Sequence, residues 1–237
     1  MNRITGDFPM NRFLTATMLI LAIAVNLNCS EQKPVPDQAL AAYWKFDELT
    51  QNNRMTPDTS GNGHDGLVHG QSLVKGINGS AMQFEGYDQI VEVGDLGLKA
   101  PTTLSFWVKT NDVFHDRRLF SQMEGSENQS GALRFDGTQV EVWDGSTWQV
   151  LIDHNVRINT WIHVAVVYDE NGKTYGFLNG ERQHLVRSGF DFTGVRAAIG
   201  GKFQGTTGNE YIGLMDDFRV YGKTLNENEI KSLYSLQ

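Results

Sequence analysis

From Ala41 onward, apolar and polar side chains alternate with a period of two, the pattern of strands that bury one face. In Thr103–Lys109, Leu104, Phe106 and Val108 share one face while Ser105, Trp107 and Lys109 share the other. Trp161–Tyr168 is more continuously apolar and β-branched, as a strand central in a sandwich would be. The same pattern predicts strands over Ala41–Phe46, Ala81–Phe84, Gln89–Val93, Ala132–Phe135, Gln139–Trp143, Thr174–Leu178, Arg196–Ile199 and Tyr211–Tyr221. Asn171-Gly172 and Asn179-Gly180 flank one of these segments, and Asp136-Gly137 and Asp144-Gly145 another. Such pairs supply the positive φ angles that hairpin turns need. Short strands, glycine-containing turns and no helical stretches between them predict an all-β sandwich or barrel rather than an α/β fold. One helix is expected at the C-terminus. Asn226 can cap it, Glu229 can complete a capping box, and Leu225 and Ile230 stand at the staple positions. It should lie as a lid on one edge of the sandwich.

The N-terminal stretch breaks this pattern. Asn11-Arg12 precede an apolar run from Phe13 to Val25, interrupted only by two threonines. Spanning a bilayer takes about 20 apolar residues, so the run suits the core of a signal peptide better, with Met10 an alternative start. A buried N-terminal helix is the other reading, but no amphipathic face supports it. The one cysteine, Cys29, follows directly, and a polar tether runs from Glu31 to Gln38. This arrangement resembles the lipidation site of bacterial lipoproteins, in which the cysteine thiol carries a diacylglycerol. Leu27 at −2 and Asn28 at −1 depart from the usual residues of that motif. The expected organisation is a signal peptide over 1–28, a lipidated cysteine and tether over 29–40, and one folded domain over 41–237. Export follows, with an anchored lipoprotein in the periplasm or on the outer surface, or a secreted protein if Cys29 is not modified. No cysteine follows position 29, so the folded domain contains no disulfide.

At 237 residues the chain is long enough for one well-buried core. Its formal net charge of −8 argues against nucleic acid or an anionic membrane surface as partner. Membrane contact is expected only through Cys29.

Four stretches, in order, resemble the laminin-G-like branch of the concanavalin A-like lectin/glucanase superfamily. The first is Tyr43-Trp44-Lys45-Phe46-Asp47-Glu48 leading into Asp58–Gly66. The second is Ala81–Gly86 followed by Thr103–Val108, and the third is Trp161–Ala165 with Asn179-Gly180 downstream. The last is Tyr211–Tyr221, running into the capped helix. The resemblance implies a two-sheet antiparallel jelly roll whose N- and C-terminal strands are adjacent.

Asp58–Gly66 is the most distinctive loop chemically. Calcium takes six to eight hard oxygen ligands, and a glycine-rich loop with Asp and Asn can aim several carbonyls at one point. Asp216 shares strand parity with Leu214, Phe218 and Val220, so it is expected to point inward, and a buried carboxylate needs a counter-charge or several donors. The resemblance implies a structural Ca²⁺ between these segments, with Asp58 and Asp216 as side-chain ligands and Asn62 and His64 contributing mainly carbonyl oxygens. The alternative is that Asp58 makes an Asx-turn and Asp216 accepts backbone N–H bonds.

No catalytic residue is assigned. The six histidines show no zinc spacing, and Ser121, Ser126 and Ser130 lie in no nucleophile elbow. Glu141 and Asp144 are the only acidic cluster near an aromatic strand, and they lack a paired signature on one strand face. Binding leaves more trace. Trp143 and Trp148 bracket the turn Asp144–Thr147, and Phe114 lies in another loop; these three are the expected ligand-binding residues. The function these features predict is non-catalytic binding of a polysaccharide or glycoconjugate. A protein-interaction or adhesion module with a surface-protein partner, and a glycoside hydrolase or polysaccharide lyase, are the alternatives.

Overall fold

The computed structural model describes residues 1–2, 39–112, 116–124, 128–153, 156–188, 196–202 and 208–236. The chain divides into two units, Met1–Glu31 and Gln32–Gln237, and every described strand and helix lies in the second. In chain order the strands are β1 (Leu40–Trp44), β2 (Met55–Thr56), β3 (Gly66–Val68), β4 (Ser72–Lys75), β5 (Ser80–Glu85), β6 (Val91–Gly94), β7 (Thr102–Thr110) and β8 (Arg117–Glu124). They continue as β9 (Asn128–Asp136), β10 (Gln139–Trp143), β11 (Trp148–Ile152), β12 (Ile162–Tyr168), β13 (Lys173–Leu178), β14 (Glu181–Ser188), β15 (Arg196–Ile199) and β16 (Ile212–Tyr221). Helix α1 (Glu227–Tyr234) closes the domain.

Two eight-stranded sheets result. The first has the order β14-β13-β12-β7-β16-β5-β4, with β1 also on β16; the second runs β11-β10-β9-β8-β15-β6-β3-β2. The ladders between these strands are antiparallel. The terminal strands β1 and β16 are neighbours, Trp44 opposite Phe218, as the resemblance implies. The sheets face one another across a single apolar core in which Leu104, Phe106 and Val108 are fully buried. The face read from the alternation is therefore the inner one. Phe218 stacks on Phe106 at 4.8 Å between centroids and lies 5.9 Å from Phe120 of the opposite sheet, joining the two layers. The layers approach closely at Gly176, where an added Cβ would meet Ile152 and Leu151 at 2.9 Å.

Strand β16 changes partner along one side. Ile212–Met215 pair with β5, and Phe218–Tyr221 with β1, while β7 runs along the other side. A bulge marks the exchange: the register shifts between Asp216 and Arg219, and Asp217 sits in the left-handed region at φ 52°. The bulge overturns the expected parity. Met215, Phe218 and Val220 enter the core, whereas Leu214 faces outward and is half-buried. Asp216 is fully buried for a different reason, because the Gly76–Ser80 turn lies over it.

Helix α1 carries the expected cap: Asn226 accepts from the Asn228 and Glu229 N–H groups, and the Glu229 side chain returns to the Asn226 N–H. Its position differs from expectation. Leu225, Ile230 and Leu233 pack on Ala165, Val167, Phe177 and Tyr221, so the helix covers the outer face of the first sheet rather than an edge. That cover buries Ser105, Trp107 and His163 as well.

Candidate functional site

The outer face of β8–β11 gathers the charged and aromatic groups of the second sheet. Arg118 of β8 stands directly opposite Arg134 of β9, and Arg134 opposite Glu141 of β10. Two guanidinium groups side by side would repel, and carboxylates on either flank neutralise them. Asp116 binds Arg118 at 2.6 Å, Glu141 binds Arg134 at 2.7 Å, and Asn209 holds Asp116 at 2.8 Å. Trp148 of β11 lies against both cations, with the Arg118 and Arg134 guanidinium carbons 4.6 and 4.2 Å from its ring centroid. Contacts of this kind contribute about 0.5–2 kcal/mol each and lock the ring's orientation.

Trp143 pairs with Trp148 across the β10–β11 hairpin, the rings 5.4 Å apart and tilted by 58°. The intervening turn is shaped by Asp144, whose Oδ1 accepts from the Thr147 and Ser146 N–H groups at 2.7 and 2.8 Å. Those donors, Thr147 first, hold the Asp144 carboxyl below the usual range. The expected pair Trp143 and Trp148 is thus brought together. Both rings are half-buried, and Trp148 is braced rather than free. The buried Trp143 Nε1–H has no acceptor among the described residues. Phe114, the third expected ligand-binding residue, lies outside the described residues, as does Cys29. Arg118 and Arg134 are not among the expected residues; the sequence signal for Arg134 is a basic residue at an outward position of an otherwise apolar strand, Gly131–Phe135.

The residues expected to hold calcium separate into two places. Asp58 closes its own loop: its Oδ1 accepts from Tyr43 and Ser60 N–H, and its Oδ2 from Ser60 Oγ–H and His64 N–H, all between 2.9 and 3.0 Å. A carboxylate offers about four lone-pair sites, so Asp58 has none left for a cation. The His64 carbonyl accepts from Trp44 Nε1–H at 2.8 Å, and the Asn62 amide donates to the Leu40 and Ala41 carbonyls. This loop is a clamp on β1. Strand β1 also stands between Asp58 and β16, since Trp44 bridges Asp58 on one side and pairs with Phe218 on the other. One ion shared by Asp58 and Asp216 does not fit this arrangement, and the Asx-turn reading of Asp58 does.

Asp216 belongs to a different turn. Its Oδ2 accepts from Ile77 and Asn78 N–H at 2.9 and 3.2 Å, while Oδ1 is buried with no hydrogen-bond partner among the described residues. Burial, and then the neighbouring Asp217 charge, push its carboxyl up to about 7 against the opposing backbone donors. Asp47 grips the same turn from its other end, accepting from Ser80 N–H at 2.8 Å. Gly76 and Gly79 allow this: a Cβ on either would fall within 2.3 Å of the Asp216 or Asp47 carboxylate. Among the described residues no group of three His, Cys, Asp or Glu side chains converges on one point. An orphaned carboxylate oxygen, a second carboxylate and turn carbonyls are nevertheless the donor types that calcium takes. Of the two places, only Asp216 keeps an oxygen free for such an ion; Asp58 does not.

His163 is a structural histidine. It is fully buried beside Trp107, its Nε2 lies 2.8 Å from Ser105 Oγ, and burial, with the Arg219 charge, lowers its pKa to about 3. Asp217 is paired with Arg219 at 3.2 Å and accepts from the Tyr43 hydroxyl, which secures the bulge.

Comparison with known proteins supports the architecture. A laminin-G-type family model of the concanavalin A-like lectin/glucanases superfamily matches residues 85–231. No curated protein gives a significant sequence match. Among solved structures, domain 4 of AbnA, an extracellular arabinanase from Geobacillus stearothermophilus in complex with arabinotriose, superposes with a TM-score of 0.64 at 20% identity, covering 83% of this chain and 98% of that one. Trypanosoma rangeli sialidase in complex with sialic acid gives 0.68 at 14% identity, over 84% of this chain and 33% of that one. The receptor-binding domain of botulinum neurotoxin type G gives 0.59 at 15% identity, over 84% and 51%. At these identities the likeness is one of fold.

Proposed function

Because this chain belongs to the concanavalin A-like lectin/glucanase superfamily, we propose that it is a non-catalytic carbohydrate-binding module whose ligand lies on the β8–β11 face. The observation that carries this reading is the tryptophan pair braced on two guanidinium groups, which are themselves oriented by Asp116 and Glu141. A sugar presents an apolar C–H face to an aromatic ring and hydroxyl groups to charged hydrogen-bonding partners, and such partners bind best when held in place beforehand. Catalysis is the weaker reading, since Asp116 and Glu141 are both committed to guanidinium groups and leave no free acid–base pair. The relatives solved with arabinotriose and with sialic acid support a sugar as the ligand class. The proposal includes a structural calcium at Asp216 and Asp47, and display at the cell surface or in the periplasm through a lipid on Cys29.

The test is a glycan array followed by calorimetric titration of the best ligand. Trp148→Ala and Trp143→Ala should each weaken binding at least tenfold while the protein still melts cooperatively. Unchanged affinity in both variants, or a folded wild type that binds no glycan, overturns the reading.

A further inference from the structure

A groove of about 430 Å³ crosses the outer face of the other sheet, on the side away from the tryptophan pair, and its volume is within the range of small-ligand sites. Its floor is β16, through Ile212, Gly213 and Leu214. The bulge at Asp217 is what turns Leu214 outward to form this floor. One wall is β5, where Gln83 lies opposite Leu214 and Glu85 opposite Ile212. The other wall is β7, where Lys109 also lies opposite Leu214, extended by Asn111 and by Asn159. The Asn159 N–H donates to the Thr110 carbonyl at 2.7 Å, which fixes its turn at the end of the groove.

The two walls differ in how their polar groups are used. Gln83 donates to Glu85 at 3.3 Å, and the Glu85 N–H is held by Gln89 at 2.7 Å. Across the floor, the side chains of Lys109, Asn111 and Asn159 make no hydrogen bond or ion pair among the described residues. The half-buried Lys109 and the exposed Asn111 and Asn159 therefore line the cavity with side chains that have no partners among the described residues. Gln83 stands two strand spacings from Lys109 across Leu214, about 10 Å, close to the span of two linked sugars, and Glu85 lies two residues further along β5. Next along the chain, Tyr87 is 88% exposed, and it and Asp88 sit in the left-handed region at φ 51° and 64°. Gly86 seats that turn against Ile212, a floor residue. Residues held in the left-handed region cluster at ligand clamps, and this turn directly follows the wall residue Glu85.

We propose that the β5–β16–β7 groove is a second binding site that takes an acidic oligosaccharide, with a sugar carboxylate at Lys109 and the amides, and ring hydroxyls at Glu85 and Gln83. The aliphatic floor meets the C–H faces of the sugar rings, and the lysine supplies the charge that distinguishes a uronic acid from a neutral sugar. The site stands on its own residues and does not depend on the tryptophan face. The probes are a trimer of galacturonic acid and the neutral galactose trimer, each titrated calorimetrically and by amide chemical shifts. The acidic trimer should bind at least tenfold more tightly than the neutral one, shift the amides of Ile212 to Leu214, and weaken several-fold from low to high salt. Lys109→Gln should weaken it at least tenfold, and Leu214→Arg, which fills the groove from an outward position, should abolish it. Lys173→Gln on β13, an equal change in net charge at an exposed site, should leave it unchanged. No titration of the acidic trimer at millimolar concentration, equal affinity for the neutral trimer, or unchanged affinity in both groove variants overturns the proposal. Amide shifts confined to β8–β11 would also overturn it, and would leave the tryptophan face standing.

Discussion

Replacing Asp58 separates a loop clamp from a metal ligand. Its carboxylate accepts four hydrogen bonds, three from backbone N–H groups, and the bond from Tyr43 ties the loop to β1. A hydrogen bond to a charged acceptor contributes about 1.5–3 kcal/mol when buried. The loop is largely exposed, so water replaces part of what Asp58→Ala removes, and a net loss of about 3 kcal/mol is expected. For a domain of this size that lowers Tm by roughly 6–12 °C. Asp58→Asn keeps one acceptor oxygen and should lose about half as much. Calorimetric melts in calcium and in EDTA decide the matter. The Asp58→Ala loss should be the same in both, since protein donors occupy every lone pair. Asp216→Asn and Asp47→Asn should instead abolish the response to EDTA, which in wild type reaches about 2.7 kcal/mol at hundredfold excess of calcium over Kd. pH gives a second check. Burial alone would raise the Asp58 carboxyl, but donors from His64, Ser60 and Tyr43 outweigh it and hold the folded-state value below normal. The stability it contributes is present above the unfolded value of about 3.9 and is lost as pH falls through the folded value. The gap between wild type and Asp58→Asn should therefore close in acid below about pH 4. An Asp58→Ala protein as stable as wild type in EDTA but weakened in calcium would refute the clamp and restore Asp58 as a ligand.

His163 has a folded pKa of about 3, far below the unfolded value, so the unfolded chain binds the extra proton between about pH 6.5 and 3. Stability should fall as pH drops through that window, by up to about 1.4 kcal/mol per unit from this group; urea titrations from pH 7 to 4 should show a shallower slope for His163→Gln, and an unchanged slope counts against it. Asn226→Ala removes the acceptor for two N–H groups of α1 and should cost about 1 kcal/mol in chemical denaturation. A loss below about 0.3 kcal/mol would mean that the Leu225, Ile230 and Leu233 contacts alone hold the helix.

Features set by neighbours in the chain are legible in the amino-acid sequence. The Leu104–Phe106–Val108 face and the Asn226–Glu229 box both depend on spacings of two or three residues, and both appear as expected. Asp216 shows where that reasoning stops. Parity is reliable only along an unbroken strand, and a left-handed Asp217 inserts a bulge that nothing in Asp216-Asp217-Phe218 announces. The same bulge turns Leu214 from an expected core residue into the floor of a groove. The loop from Asp58 is conspicuous in the sequence for its oxygen atoms, yet its N–H groups are what fold it: Ser60 and His64 donate inward to the carboxylate. Arg118 and Arg134 are the plainest case. They are far apart in the chain and meet only because β8 and β9 pair in a register that sets one directly across from the other. Local turn chemistry puts Trp148 beside a turn, whereas it begins edge strand β11, from which it reaches both cations. Both candidate sites consist of such meetings between strands. Their chemistry depends on register, which no local run of residues encodes, and changing a strand's register by one residue would move Lys109 or Arg134 to the opposite face.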